Sequence, residues 1–356
     1  MSSTPVKTDV VIIGAGPVGL FAIFECGMMK LKCHVIDALD IVGGQCAALY
    51  PEKPIYDIPA FPKITGAELI ENLKAQADPF HPVYHLNQRV ETLEKTDDAE
   101  TPWRVVTSGA ETIHTKVIII AAGVGAFGPN KPPLAHLEDF EANHVHYFVK
   151  SRDLYKGKRL VIAGGGDSAV DWAISLAELA DKVYLVHRRP KFRAAPESVS
   201  KLEALAASGR IEMVVPYQLS ALEGQGGVMS GVIVETLEGE KRTLEADYLL
   251  PFFGLAMNLG PIAHWGLNLD KSHITVDPST SETSETGIFA IGDIATYKNK
   301  LKLILCGFAE AAQAAHRARE IVHPGEVFHF EYSTTSGVPG ENTQESSQNS
   351  GKAPAA

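Results

Sequence analysis

A chain of 356 residues that is 45 % hydrophobic and 21 % charged is longer than one small domain and suits two globular domains with sizeable cores. Its formal charge of -11 argues against nucleic acid as a general partner, because phosphate recognition needs a basic face, and leaves room only for local basic patches. No apolar run reaches the length of a membrane span, Met1 to Lys7 carries no leader pattern, and the cysteines form neither a C-x-x-C pair nor a metal-ligand spacing. The expectation is a cytoplasmic protein with no metal, whose Cys26, Cys33, Cys46 and Cys306 are reduced and mostly buried.

The first predicted strand, Val10 to Ile13, is aliphatic throughout and so reads as buried on both faces. It stops at Gly14-Ala15-Gly16-Pro17-Val18-Gly19 and opens a helix over Leu20 to Lys30. In that turn Gly14 permits the tight bend, Gly16 lets the backbone approach a pyrophosphate at the helix N-terminus, and Gly19 lets helix and strand pack closely. Taken alone the turn is equally compatible with a purely structural role. The nucleotide is favoured because the next strand, Leu31 to Asp37, ends in an acid about twenty residues on, where a ribose hydroxyl needs an acceptor.

Asp40 to Pro62 is rich in Gly, Pro and aromatics without helical or strand period, and is expected to be a loop that follows another surface. Two readings stand: a loop shaped by a bound ring system, with Gly43 and Gly44 allowing close approach, Gln45 hydrogen bonding and Tyr50 stacking, or a proline-rich surface loop with a packed tyrosine. Thr65 to Gln76 is predicted helical, with Thr65 as N-cap and Glu68 at capping-box spacing. Val83 to Glu94 and Trp103 to Ser108 are predicted as strands of a small antiparallel layer, and Lys116 to Ile120 as a buried strand running into small residues. Pro129, Pro132 and Pro133 then mark a boundary.

A second nucleotide turn follows the strand Arg159 to Ala163: Gly164-Gly165-Gly166-Asp167-Ser168-Ala169, leading into a helix over Val170 to Leu179. The strand after it, Lys182 to Val186, ends not in an acid but in His187-Arg188-Arg189-Pro190-Lys191-Phe192-Arg193. Guanidinium groups there answer a ribose 2'-phosphate, since each presents a planar fork of donors; the competing reading is a solvated basic turn. A helix over Ser200 to Ser208 and strands within Ile211 to Leu250 complete this region, and Tyr248 to Leu255 suggests that the chain crosses back. Thr286 to Ile294 reads as an apolar strand ending in Gly292-Asp293 before a helix over Phe308 to Val322; Asp293 reads either as an acceptor for a ribityl hydroxyl or as a turn aspartate. Lys298, Lys300 and Lys302 make a basic stretch, either a docking patch or a solvated turn. Three aromatics, Phe328, Phe330 and Tyr332, precede a Ser/Gly/Asn/Gln tail that is expected to be disordered over 336–356.

An acid-terminated turn and an arginine-terminated turn in one chain imply two different dinucleotides. In the order in which they occur, the Gly14 turn, Gly43-Gly44-Gln45, the Gly164 turn, His187-Arg188-Arg189 and Gly287 to Asp293 resemble the thioredoxin reductase family of flavoproteins. The dithiol of those enzymes is missing, because no cysteine lies between Cys46 and Cys306. The chain is similar instead to the thioredoxin-reductase-like ferredoxin/flavodoxin-NADP+ reductases, which lack the C-x-x-C and carry an aromatic C-terminal extension.

That resemblance implies an α/β protein of two Rossmann-like, three-layer ββα nucleotide-binding domains, the second inserted in the first: FAD on 1–122 and 253–335, NADPH on 123–252. It puts Val18, Asp37, Gln45, Tyr50, Val90, Phe127, Asp293 and Thr334 on FAD, beside Gly14, Gly16 and Gly19. Tyr50 would stack on one face of the isoalloxazine and Tyr332, from the partner subunit of a homodimer, on the other, with Phe330 as the alternative stacker; Tyr332 would also have to move as a gate. Gly164, Gly166, Asp167, Ser168, His187, Arg188, Arg189 and Arg193 would hold NADPH. The implied activity is hydride transfer between NADP(H) and FAD coupled to one-electron exchange with ferredoxin or flavodoxin. Rival readings are an NADPH diaphorase, a disulfide reductase, which the missing dithiol opposes, and a nonenzymatic nucleotide sensor.

Overall fold

The computed structural model describes residues 6–141 and 143–326. Its principal elements are, in chain order, β1 (Val6–Ile13), α1 (Pro17–Met28), β2 (Cys33–Ile36), α2 (Gly44–Ala48), α3 (Gly66–Ala77), β3 (Val83–His85), β4 (Val90–Lys95), β5 (Trp103–Thr107), β6 (Thr112–Ile120) and β7 (Ala126–Pro129). There follow β8 (Arg159–Ala163), α4 (Asp167–Leu176), β9 (Lys182–Val186), α5 (Pro196–Ala207), β10 (Ile211–Val214), β11 (Gln218–Gln225), β12 (Val228–Glu235), β13 (Lys241–Glu245), β14 (Tyr248–Pro251), β15 (Leu255–Asn258), β16 (Ile288–Ala290) and α6 (Ile304–Val322). By their internal contacts they form two compact units. One gathers the chain up to Gly44, Leu69–Gly123 and the chain from Pro261; the other gathers Gln45–Glu68 and Val124–Gly260.

The first unit is built on a seven-stranded sheet in the order β3-β2-β1-β6-β5-β4, with β16 added alongside β6. β1 lies between β2 and β6, parallel to both, with Val10 opposite Cys33 on one side and Val117 on the other. Covered on both sides, Val10, Val11 and Ile12 lose all solvent exposure, which is why the stretch is continuously aliphatic rather than alternating. β6 changes partner along its length: Thr112 to Thr115 pairs antiparallel with β5, and Ile118 to Ile120 pairs parallel with β16. The antiparallel layer thus grows out of the parallel sheet.

The stretch Val83 to Glu94 is not one strand. β3 joins the parallel sheet beside β2 and β4 joins the antiparallel layer beside β5. Between them Asn87 takes a left-handed conformation at φ 55°, which ends one strand before the next begins. The segment expected as an irregular loop contains the five-residue α2 and a short antiparallel pair, Pro54–Ile55 with Ile64–Thr65. The capping box of α3 forms as expected: Glu68 N–H donates to Thr65 Oγ1 at 3.2 Å, and Thr65 N–H donates to Glu68 Oε2 at 2.8 Å.

In the second unit β10-β9-β8-β14 is parallel throughout, and β11-β12-β13 is antiparallel. The strand period of two sorts β8 between two cores. Leu160 and Ile162 pack with Trp172, Leu176 and Leu202 of the helices. Val161 and Ala163 pack with Met229, Val232 and Leu244 of the antiparallel layer. Both units are Rossmann-like, and in sequence the second interrupts the first. Within the second unit the strands next to the two crossings meet, β7 running antiparallel to β15 with Phe127 opposite Met257. Among the described residues no helix is long and apolar enough to cross a membrane.

Candidate dinucleotide sites

In the first unit, Gly14 sits at φ 107° directly against β6, and a Cβ there would lie 2.4 Å from the Ala121 carbonyl oxygen. A Cβ on Gly19 would lie 1.9 Å from the Gly14 carbonyl oxygen, so both glycines are needed for the turn to close. Gly16 is different: the nearest neighbour of its imaginary Cβ is Gly44 Cα at 3.9 Å, which leaves the approach to the helix start open. Gly16 is the N-cap of α1, Pro17 opens the helix, and no side chain caps the first turn. The amides there remain aimed at whatever anion arrives.

Asp37, immediately after β2, is 9 % exposed. Its carboxylate accepts the Ala15 amide at 2.6 Å and the Leu39 amide at 2.8 Å. Burial raises its pKa, and the two amide bonds oppose that rise. A carboxylate offers about four acceptor positions, so one that already anchors the glycine turn still has capacity for ribose hydroxyls.

Val18, on the first turn of α1, lies against the Gly292 turn and α6: a Cβ on Gly292 would meet its Cγ2 at 3.4 Å and one on Gly307 at 2.4 Å. Asp293 is half-buried in the turn after β16, and no hydrogen bond among the described residues engages its carboxylate. Val90 is buried at the start of β4. Gln45 is half-buried in α2. Tyr50 is grouped with the second unit and packs against its helical core, with its hydroxyl 3.8 Å from Cys46 Sγ and Lys53 Nζ 6.0 Å from its ring. Phe127 contributes its backbone to β7. Phe328, Phe330, Tyr332 and Thr334 lie outside the described residues.

In the second unit the turn and the basic loop are tied together. Gly164 at φ 152° faces the Phe252 carbonyl oxygen, 2.7 Å from where a Cβ would stand. The Arg193 amide donates to the Gly165 carbonyl at 2.6 Å, Gly166 and Arg193 form a β-bridge, and Asp167 Oδ1 accepts the Ala195 amide at 2.9 Å. The His187 ring fills the space beside Gly165, where a Cβ would come within 2.2 Å of it, and packs with the Phe192 ring, centroids 5.2 Å apart. Burial lowers the pKa of His187, and the charges of Arg188, Arg189 and Arg193 lower it further against a backbone hydrogen bond at Lys191 that raises it. Arg188, Arg189, Arg193, Asp167 and Ser168 are exposed. None of the three arginines has an ion-pair partner among the described residues, so a cluster of positive charge stands open at an uncapped helix start.

Sequence reasoning missed Glu310. It is 3 % exposed on α6 and ion-paired with Lys300, which removes that lysine from any docking patch and leaves Lys298 and Lys302 as the exposed cations of the stretch. The available signal was an acid at helical spacing from Gly307, Ala311 and Ala314, all buried on one face.

The chain belongs to the pyridine nucleotide-disulphide oxidoreductase family, whose model matches residues 8–319. It is 60 % identical to a ferredoxin--NADP reductase of Paramagnetospirillum magneticum, over 94 % of this chain and 98 % of that one. It is 58 % identical to the protein of the same name from Rhodospirillum rubrum, over 95 % of this chain and 98 % of that one. Among solved structures it resembles the thioredoxin reductases of T. acidophilum (TM-score 0.77, 24 % identity, 88 % of this chain and 98 % of that one) and Lactococcus lactis (TM-score 0.76, 24 % identity, 89 % and 99 %). These likenesses to solved structures support the two-unit fold.

Proposed function

We propose that the chain is a ferredoxin-NADP+ reductase that works with FAD and NADP(H). The observation that carries this is the pairing of an acid-terminated glycine turn, closed by Asp37, with an arginine-terminated one, opened by His187 to Arg193, in a chain whose second unit has no cysteine over 124–260. The relatives at about 60 % identity carry the same name. Both sites fit their cofactors on their own chemistry: uncapped helix starts at Gly16 and Gly166, a buried carboxylate for ribose in one unit, and unpaired guanidinium groups for a 2'-phosphate in the other.

The first unit takes FAD on Gly14, Gly16, Val18, Gly19, Asp37, Val90 and Asp293; Gln45, Tyr50, Phe127 and Thr334 are assigned to FAD by the family resemblance. The second takes NADPH on Gly164, Gly166, Asp167, Ser168, His187, Arg188, Arg189 and Arg193. Bound FAD supplies the conversion between a two-electron hydride carrier and a one-electron carrier. The chain's own work is to hold and orient: Asp37 fixes the first turn, Asp167 and the Gly165 carbonyl fix the basic loop, and Arg188 and Arg189 select the phosphorylated ribose. Tyr50 and Tyr332 cover the ring system and exclude water, Tyr332 from the partner of a homodimer. Flavodoxin is the alternative acceptor, and the location is cytoplasmic.

The test is anaerobic reduction of the purified protein with NADPH, followed by mixing with oxidised ferredoxin, flavodoxin or thioredoxin. Rapid reduction of ferredoxin or flavodoxin with inert thioredoxin is the expected result. Reduction of thioredoxin alone overturns it, and inertness toward all three leaves a diaphorase.

A further inference from the structure

Among the described residues of the first unit, Glu310 is the most thoroughly buried acid that the function above does not use. Its Oε2 accepts the Gly292 amide at 2.8 Å, and its Oε1 accepts the Tyr297 hydroxyl at 2.7 Å and Lys300 Nζ. The Glu310 and Lys300 side chains are 4 % and 5 % exposed, and Lys300 Nζ stands 5.4 Å from the Tyr297 ring centroid. Burial and the bond to Glu310 together raise the pKa of the Tyr297 hydroxyl, so it remains a donor. The held turn is tight: Gly292 is at φ 74° with Val18 against it, and Gly307, one turn before Glu310 on α6, would bring a Cβ within 3.3 Å of Gly292 Cα. A buried ion pair is weak as a source of stability, because desolvation offsets its attraction and apolar residues of the same volume often serve as well. Its position, directly behind the turn that carries Asp293, suggests a different use.

We propose that Glu310 and Lys300 are positioning residues for the bound FAD. Glu310 fixes the Gly292–Asp293 turn, and Lys300 cancels its charge, so that the cofactor gains electrons beside a balanced pair rather than beside a buried anion. The inference rests on the reading that this unit takes FAD. Charges removed from water act on one another far more strongly than charges at the surface, so unbalancing the pair is felt by a neighbouring redox group. A lone carboxylate disfavours electron gain; a lone ammonium favours it.

The experiment is spectroelectrochemical titration of the FAD-loaded full chain, with FAD affinity measured in parallel by recovery of free-flavin fluorescence. Lys300→Met lowers the midpoint potential, Glu310→Gln raises it, and the double variant returns toward the native value. Tyr297→Phe, which removes a hydrogen bond but no charge, leaves the potential near native. Should Lys300→Met not fold, Lys300→Gln takes its place with the same expected sign. Loosening of the turn alone cannot produce shifts of opposite sign, so shifts in the same direction, or none, overturn the inference while the protein remains a flavoprotein. A native chain that takes up no FAD overturns both this inference and the reading beneath it. Opposite shifts in a protein inert toward ferredoxin overturn only the choice of acceptor.

Discussion

Arg193 donates its backbone N–H to the Gly165 carbonyl at 2.6 Å, so the loop that carries the arginines is fastened to the glycine turn that opens α4. One site therefore offers an anion both an uncapped helix start and guanidinium groups.

Selectivity for the phosphorylated nucleotide should reside in Arg188 and Arg189. A charge-assisted hydrogen bond contributes roughly 1.5–3 kcal/mol, so each Arg→Ala change should raise KM for NADPH about tenfold to a hundredfold while leaving NADH kinetics nearly unchanged. Steady-state kinetics with both nucleotides reads this directly. Equal losses for NADPH and NADH would place the arginines elsewhere than on the 2'-phosphate.

The contact between Gly307 and Val18 predicts a compensation. With Val18 Cγ2 only 2.4 Å from an added Cβ, Gly307→Ala overpacks the junction of α1 and α6. Such overpacking costs about 1–3 kcal/mol. Val18→Ala removes the obstructing methyl groups, so the double variant should recover part of the loss in thermal or urea unfolding. A double variant that is merely the sum of its parts would mean that α6 moves instead of colliding.

Acidification should weaken FAD binding through Asp37. Burial holds its pKa above the ordinary 3.8. With the ionised carboxyl in its proposed role as ribose acceptor, affinity should be full well above that raised pKa and fall as pH drops through it, at a higher pH than an exposed aspartate would allow. In the apoprotein the sign is opposite. Between 3.8 and the raised value the folded chain binds more protons than the unfolded one, so apoprotein stability rises as pH falls through that window. Asp37→Asn should flatten both dependences, measured by FAD titration and by unfolding across a pH series.

Thiols should be dispensable. Cys26, Cys33 and Cys46 are buried and Cys306 is half-buried. Cys306→Ser should leave NADPH-to-ferredoxin turnover within about twofold, the range of substitutions that break no specific contact. A loss of several orders of magnitude would restore disulfide chemistry to consideration.

The amino-acid sequence by itself determined the two nucleotide turns and their different endings, because a glycine required by close backbone approach and a strand buried on both faces leave local marks: Gly14, Gly19 and the run Val10 to Ile13 are such marks. It also set the capping box at Thr65 and Glu68, which is a contact between near neighbours. Only the tertiary structure decided what depends on residues distant in the chain. It split Val83 to Glu94 between a parallel sheet and an antiparallel layer, grouped Tyr50 with the second unit, and fastened Arg193 to Gly165. It also turned Lys300 from a member of a basic stretch into the partner of Glu310. A lysine among lysines reads as solvated unless its partner is known. That partner stands ten residues on, on a helix face that only packing against α1 makes an interior.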